Sequence, residues 1–353
     1  MTVSRRRSAA LVIAAALLAS PLAATPAAAT PPPPPKPGPW VCEGEPVKLN
    51  RLTSNAELSA ELRTLAKRHP RTLDVETVGR SVDGRPLYTA TAGTGPRKLL
   101  ILTQMHGDEP LGTEAALRML KKVAGPGRAA RELREEVTVK VVPRVNPDGW
   151  ERYHDPDFRE GTDPRLNSHK VDLNRMFGPA PEYDMALAPE AAAVHGVVDG
   201  FDPDLVLDYH HQVTYATPDG RMVTMSVLWS THPDVAPEVA ADGKRAAAVV
   251  GDALADNPRS NLTLYPRSDT ASTARNGLGL DGYPTLLLEQ RGQQEAGQKG
   301  AGPLIREAQT AMESIAGSLA DGSFAPLGTE DPRRGRRPVP RPGFGRRSRC
   351  AGT

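Results

Sequence analysis

Two histidines and two glutamates stand at spacings suited to metal chemistry. His106 and Glu109 lie three residues apart in Met105-His106-Gly107-Asp108-Glu109, which follows the apolar run Lys98-Leu99-Leu100-Ile101-Leu102-Thr103. An imidazole and a carboxylate at the end of a buried strand make half of a catalytic metal site. The spacing also recurs by chance, and the alternative is a loop histidine beside a solvated glutamate. A third donor is available in Leu205-Val206-Leu207-Asp208-Tyr209-His210-His211-Gln212, because a histidine just past an apolar strand can meet His106 across neighbouring strand ends. Strand alternation sends His210 and His211 to opposite faces, so only one can ligate. His210 is the choice, with His211 behind it or lining the pocket; the competing reading of either is a satisfied buried side chain. Two neutral imidazoles and one carboxylate, with a position left for water, suit one catalytic Zn2+ per chain. Water at such a site needs a base. Glu289 ends the apolar run Tyr283-Pro284-Thr285-Leu286-Leu287-Leu288, where a carboxylate is costly unless paired or functional; pairing with Arg291 is the alternative. His69, His154, His169, His195 and His232 fall in helices or polar loops without an acidic partner at a suitable spacing.

Positioning these groups requires strands that end near one another. Asn55 to His69 has apolar residues at helical spacing and a closing Pro70, so it predicts a helix. Thr72 to Gly79 and Leu87 to Ala92 predict strands joined by a turn-rich segment. Strand and helix then alternate: Lys98 to Met105 strand, Leu111 to Val123 helix, Val137 to Val145 strand, Pro189 to Val198 helix, Leu205 to Tyr209 strand. Val223 to Trp229, Lys244 to Ala255, Pro284 to Glu289 and Leu304 to Ala320 continue as strand, helix, strand and helix. This order predicts a single α/β domain with a mixed, mostly parallel central sheet and helices on both faces. Sites in such sheets lie at the carboxyl ends of strands, where His106, Asn146, His210 and Glu289 are expected. The long stretch from Asn146 to Tyr183 has little apolar periodicity and reads as a functional or disordered loop.

At 353 residues and 39% hydrophobic content the chain can bury a substantial core. Arg5, Arg6 and Arg7, an apolar run from about Ala9 to Leu22 and Ala27-Ala28-Ala29 predict a signal peptide over residues 1–29. A Pro-rich linker follows over 30–44, then a folded domain over 45–325 and a basic Pro/Gly/Arg-rich tail over 326–353. No apolar stretch reaches the roughly 20 residues of a membrane span, so a secreted, extracellular protein is expected. The net charge of +2 divides unevenly: residues 1–7 carry +3 and residues 331–353 carry +7, leaving the body near −8. The tail reads either as a solvated extension or as a contact for an anionic cell surface or wall polymer. Nucleic acid is not an expected partner, since the body is acidic and the tail has one aromatic residue, Phe344. Cys42 and Cys350, one near each end of the mature chain, are expected to form one disulfide; intermolecular pairing and free thiols are the alternatives.

Six motifs in order carry a family resemblance. They are Gly79-Arg80-Ser81-Val82-Asp83-Gly84-Arg85-Pro86-Leu87; His106 and Glu109; Asn146-Pro147-Asp148-Gly149; Arg165-x-Asn167 with Val171-Asp172-Leu173-Asn174-Arg175; Asp208-x-His210; and Leu288-Glu289-Gln290-Arg291. Together they resemble the carboxypeptidase A-like zinc metallocarboxypeptidases over about residues 50 to 320. The resemblance implies that His106, Glu109 and His210 bind zinc and that Glu289 is the general base and acid. It further implies that Arg165 polarises the scissile carbonyl and stabilises the oxyanion, and that Asn174 and Arg175 grip the free carboxylate of the substrate.

Departures from the family pattern mark this chain. Met176 stands where an asparagine usually follows the Asn-Arg pair, and Asp108 where digestive members carry a peptide-binding arginine. The mobile tyrosine of the family has no clear match, and Tyr265, 24 residues before Glu289, is the nearest candidate. Between Ala29 and the domain there is no space for a large folded pro-segment. Thr270 to Gly277 lies where relatives line the pocket for the terminal side chain, so Arg275 could favour an acidic side chain or be an arginine paired at the surface. Three functions are weighed: a secreted zinc carboxypeptidase acting on C-terminal peptide bonds, a zinc amidase or peptidase acting on peptidoglycan stem peptides, and a non-catalytic wall-binding protein that would lack one of the four site residues.

Overall fold

In the computed structural model, the described residues are 49–155, 163–179, 183–213, 215, 217, 218, 221–292 and 297–324. The expected signal peptide, linker, basic tail, Cys42 and Cys350 lie outside them. Among the described residues no helix is long and apolar enough to cross a membrane.

The chain opens with α1 (Asn55–Arg68), capped by Ser54, whose hydroxyl accepts from the Glu57 N–H while the Glu57 carboxylate accepts from the Ser54 N–H. Leu58, Leu62 and Leu65 form its buried stripe. Then come β1 (Asp74–Arg80), β2 (Pro86–Ala92), β3 (Arg97–Thr103), α2 (Leu111–Ala124), α3 (Arg128–Glu136), β4 (Val137–Val142) and α4 (Pro147–His154). They are followed by α5 (Pro189–Phe201), β5 (Leu205–Gln212), β6 (Met225–Trp229), α6 (Pro237–Ala255), β7 (Leu262–Leu264), α7 (Ala274–Leu280), β8 (Thr285–Arg291) and α8 (Gly297–Asp321). One eight-stranded sheet runs β1-β2-β4-β3-β5-β8-β6-β7. Its centre, β4-β3-β5-β8, is parallel, β6 pairs with β7 in parallel, and β1-β2, β2-β4 and β8-β6 are antiparallel.

The fully buried central strands divide their side chains between two cores, as the period of two requires. Leu99, Ile101, Leu205, Leu207, Tyr209, Leu286 and Leu288 pack with residues of α1, α2, α6 and α8. Their neighbours Leu100, Leu102 and Val206 pack with residues of α5 and α7. Both faces are therefore covered by helices, as the alternating pattern predicts.

The differences from expectation are local. The stretch from Asn146 carries α4, with Asn146 as its N-cap and Pro147 in the first turn; eight residues are too few for a periodic signal. For the same reason α3, β7 and the seven-residue α7 are absent from the predicted elements. β3 stops at Thr103 because Gln104 takes a left-handed backbone conformation (φ 55°), so Met105 belongs to a turn.

Candidate active site

The central strands present Asp208, His210 and Glu289 on the face that carries α5 and α7. In the parallel β5–β8 pair, His210 stands directly opposite Glu289, about 4.8 Å away at the usual strand spacing. His106 arrives from β3 through the turn at Gln104. The Gln104 amide donates to the Gly107 carbonyl (2.8 Å), and its oxygen accepts from Thr113 Oγ1 (2.7 Å) and Arg144 Nε (2.6 Å). A buried amide with three partners holds the strained backbone that aims His106. Gly107 then lies against α4: a Cβ there would come within 2.1 Å of Gly149 C, so neither chain segment has room for a side chain at that position. The Asn-Pro-Asp-Gly motif thus serves as a floor for the histidine turn, and its buried Asp148 accepts from Ser81 Oγ (2.6 Å), the Asp83 N–H (3.0 Å) and Arg85 (2.8 Å). The motif at 79–87 is tied to the site through that carboxylate.

His106, Glu109 and His210 converge, all buried, with their ligand atoms within 4.8 Å of one another. His106 Nε2 lies 3.1 Å from Asp172 Oδ1, and His210 Nε2 lies 2.9 Å from Asp208 Oδ1. A carboxylate beside each Nε2 favours a proton there, and in a neutral imidazole that tautomer leaves the lone pair on Nδ1. Those two Nδ1 atoms are 3.1 Å apart, and Glu109 places Oε1 2.9 Å from one and Oε2 2.9 Å from the other. With both rings neutral, two lone pairs and a carboxylate aimed at one point repel unless a cation sits among them. Two nitrogens and one carboxylate are a donor set that fits zinc. Glu109 is itself fixed: the His211 N–H donates to Oε2 at 3.0 Å, and Arg165 Nη1 lies 3.5 Å from Oε1.

Other residues singled out in the sequence gather around this point. Arg165 donates from Nε (3.3 Å) and Nη2 (3.2 Å) to Asp172 Oδ2. Burial opposes ionisation of Asp172, but the hydrogen bond with His106 and the Arg165 charge hold it well below the ordinary carboxylate range. Asn174 accepts the Ala274 N–H at 2.8 Å, linking it to the start of α7, while the exposed Arg175 donates to the Asn174 carbonyl. Burial pushes Glu289 up to about 8, with the Glu109 charge adding to the shift against the two histidines. Tyr265 is raised to about 12, by burial and then by the nearby Glu289 charge. Burial, followed by Glu109, raises Asp108 to about 6.

Some placements differ from the sequence reading. His211 belongs to the opposite face, under α2, where its Nε2 accepts the Leu111 N–H at 3.1 Å. It satisfies one of the orphan donors at that helix start and contributes to the site through its backbone. Arg275 is buried at 3% exposure and is not a surface residue. Asp172 and Asp208, which orient the two imidazoles, had no role in the sequence reading; the Asp208-x-His210 spacing on a strand, which puts both residues on one face, was the available signal.

Residues 58–197 match the family model described as zinc carboxypeptidase. The chain is similar to carboxypeptidase E of Caenorhabditis elegans, 29% identical over 137 residues that cover 35% of this chain and 29% of that protein. It is also similar to carboxypeptidase M of Mus musculus, 28% identical over 150 residues, 39% of this chain and 33% of that protein. The match therefore spans about a third of the length of these relatives. Among solved structures, a metallo-carboxypeptidase from Burkholderia cenocepacia shares the fold with a TM-score of 0.59 and 21% identity, covering 78% of this chain and 70% of that chain. Bovine thrombin-activatable fibrinolysis inhibitor, in complex with tick carboxypeptidase inhibitor, does so with a TM-score of 0.55 and 17% identity, covering 78% and 99%.

Proposed function

We propose that this chain is an exported zinc carboxypeptidase that removes the C-terminal residue of a peptide, a reading supported by the match of residues 58–197 to the zinc carboxypeptidase family model. The observation that carries this reading is the two imidazole Nδ1 atoms and the Glu109 carboxylate converging on one point, with the outer nitrogens held by Asp172 and Asp208. Zinc bound there supplies a Lewis acid that polarises a carbonyl and acidifies water.

The residues of the chain do the rest. Glu289, opposite His210, takes a proton from the attacking water and delivers it to the leaving amine. Burial, with the Glu109 charge adding to it, raises Glu289 to about 8; a cation held by His106, Glu109 and His210 would favour its ionised form and make the carboxylate available as a base near neutrality. Arg165, held by Asp172 and close to Glu109, is the fixed cation for the developing oxyanion. Asn174 and the solvent-facing Arg175 hold the terminal carboxylate of the substrate, a planar anion that suits a guanidinium fork. Export rests on the basic, apolar and small-residue pattern at the N-terminus. The stem-peptide reading keeps this site and changes the substrate; the basic tail favours it through contact with anionic wall polymer.

Two measurements test the proposal. Zinc-free protein is expected to lose release of C-terminal residues from a peptide library and regain it on zinc addition. Glu289→Gln is expected to keep bound zinc and lose about 10²- to 10⁴-fold in kcat. Full activity without metal, or in Glu289→Gln, sinks the reading. Digestion of muropeptides beside the library separates the two substrate classes.

A further inference from the structure

The turn that aims His106 is held from behind by a buried arginine. Arg144 is 2% exposed, and each of its nitrogens donates to a neutral oxygen: Nε to Gln104 Oε1 (2.6 Å), Nη1 to Asn55 Oδ1 (2.9 Å) and Nη2 to the Thr53 carbonyl (2.6 Å). Its Cζ lies 4.9 Å from the centroid of the buried Trp150 ring. A buried cation is costly unless its donors are satisfied, and the planar fork satisfies all three nitrogens at one junction.

Two of those acceptors belong to the segment that leads into α1, and that segment is itself clamped. The Thr53 N–H donates to Glu114 Oε1 of α2 (2.7 Å). Asn55 donates from Nδ2 to the Pro147 carbonyl (2.9 Å) and to Glu151 Oε2 (2.6 Å), both in α4. The third acceptor, Gln104, carries the left-handed backbone (φ 55°), which a residue with a side chain holds only where its surroundings fix it. A continuous chain of hydrogen bonds therefore runs from Thr53 and Asn55 through Arg144 to Gln104, whose amide grips the Gly107 carbonyl (2.8 Å) next to His106. Thr53, Asn55 and Arg144 belong to none of the six motifs in the sequence.

We infer that Arg144 is a positioning residue for the metal centre, and that Thr53 to Asn55 act through it as a strap that keeps His106 aimed at the zinc. The inference rests on the zinc-site reading above. Zinc affinity then depends on the segment ahead of α1, and processing of the amino terminus has to leave residues 53–55 in place. Without Arg144, Gln104 Oε1 keeps only Thr113 as a donor, and the left-handed turn loses its tie to α1 and α4.

The test is zinc affinity, read by competition with a chelator on full-length protein at fixed pH. Arg144→Met keeps the bulk beside Trp150 and removes all three donors; Asn55→Ala cuts the strap and leaves every residue of the site unchanged. Each is expected to raise the zinc dissociation constant about 10-fold, the lower end of what the outer partners of a metal ligand contribute. Because the strap acts through Arg144, adding Asn55→Ala to Arg144→Met should cost no more than about twofold further. Ile315→Ala, a core truncation in α8, is the control for general destabilisation: it should lower the melting temperature of the metal-free protein and leave zinc affinity unchanged. A dissociation constant for Arg144→Met within about twofold of wild type overturns the inference, as do losses that multiply in the double variant. An Ile315→Ala protein that binds zinc as weakly as Arg144→Met overturns it too, since the loss is then one of stability alone. Each of these outcomes leaves the carboxypeptidase reading standing, whereas a wild type that binds no zinc overturns both. Should Arg144→Met fail to fold by circular dichroism, Asn55→Ala decides: unchanged affinity there sinks the strap.

Discussion

Asp208 offers the cleanest probe of the metal centre. Its Oδ1 accepts from His210 Nε2 at 2.9 Å, and its Oδ2 has no hydrogen-bond partner. The counterpart Asp172 accepts from His106, Arg165 and the Asn174 N–H, so a change there would disturb three contacts at once. Asp208→Asn keeps the shape and an acceptor oxygen while removing the charge that fixes the tautomer and raises the basicity of Nδ1. Carboxylates behind ligating histidines are worth about 10- to 100-fold in metal affinity, or about 1.4–2.8 kcal/mol. Competition for zinc against a chromogenic chelator, at fixed pH, should show the dissociation constant of Asp208→Asn raised by that factor. Thermal unfolding of both metal-free proteins serves as the control for folding. An affinity unchanged within about twofold, with folding intact, refutes the claim that Asp208 prepares His210 as a ligand.

Two further outcomes follow from the same geometry. His211 is buried with its pKa lowered to about 4, chiefly by burial, while the unfolded chain titrates it near 6.5. Between those values the unfolded state holds more protons than the folded one, so stability falls as pH drops from about 6.5 to about 4, by about 3 kcal/mol at most. Urea unfolding of metal-free protein across that window should therefore be steeper in pH for wild type than for His211→Gln; parallel curves count against it. Gly107→Ala would place a Cβ 2.1 Å from Gly149 C and 2.4 Å from Trp150 N, both backbone atoms that cannot swing aside. Overpacking of this kind costs about 1–3 kcal/mol, so calorimetry should record a melting temperature lowered by several degrees, with weaker zinc binding as His106 moves; an unchanged melt disproves the close approach.

Much of the fold was legible because it is written in periods. The continuous apolar runs Leu99 to Leu102 and Leu205 to Leu207 announce strands buried on both faces, and those residues do divide between two cores. Helical spacing of Leu58, Leu62 and Leu65 announces α1. The elements that escaped, α3, α4, β7 and α7, are nine residues or shorter, and their stability comes from caps and tertiary contacts more than from a repeating pattern. His211 shows a different limit. Alternation correctly separated it from His210, but only the packing of α2 above the sheet gave its ring a task.

By itself the sequence determined the donors, the strands that carry them and their order along the chain, because residue type and local period are properties of neighbours. The tertiary structure alone decided which carboxylate holds which imidazole, that Gly107 meets Gly149, and that Arg275 lies buried with unused donors. His106 and Asp172 are 66 residues apart and Leu111 and His211 are 100 apart. Contacts at such separations leave no local pattern; they exist only once the sheet has brought its strand ends together and excluded water from the charges it collects there.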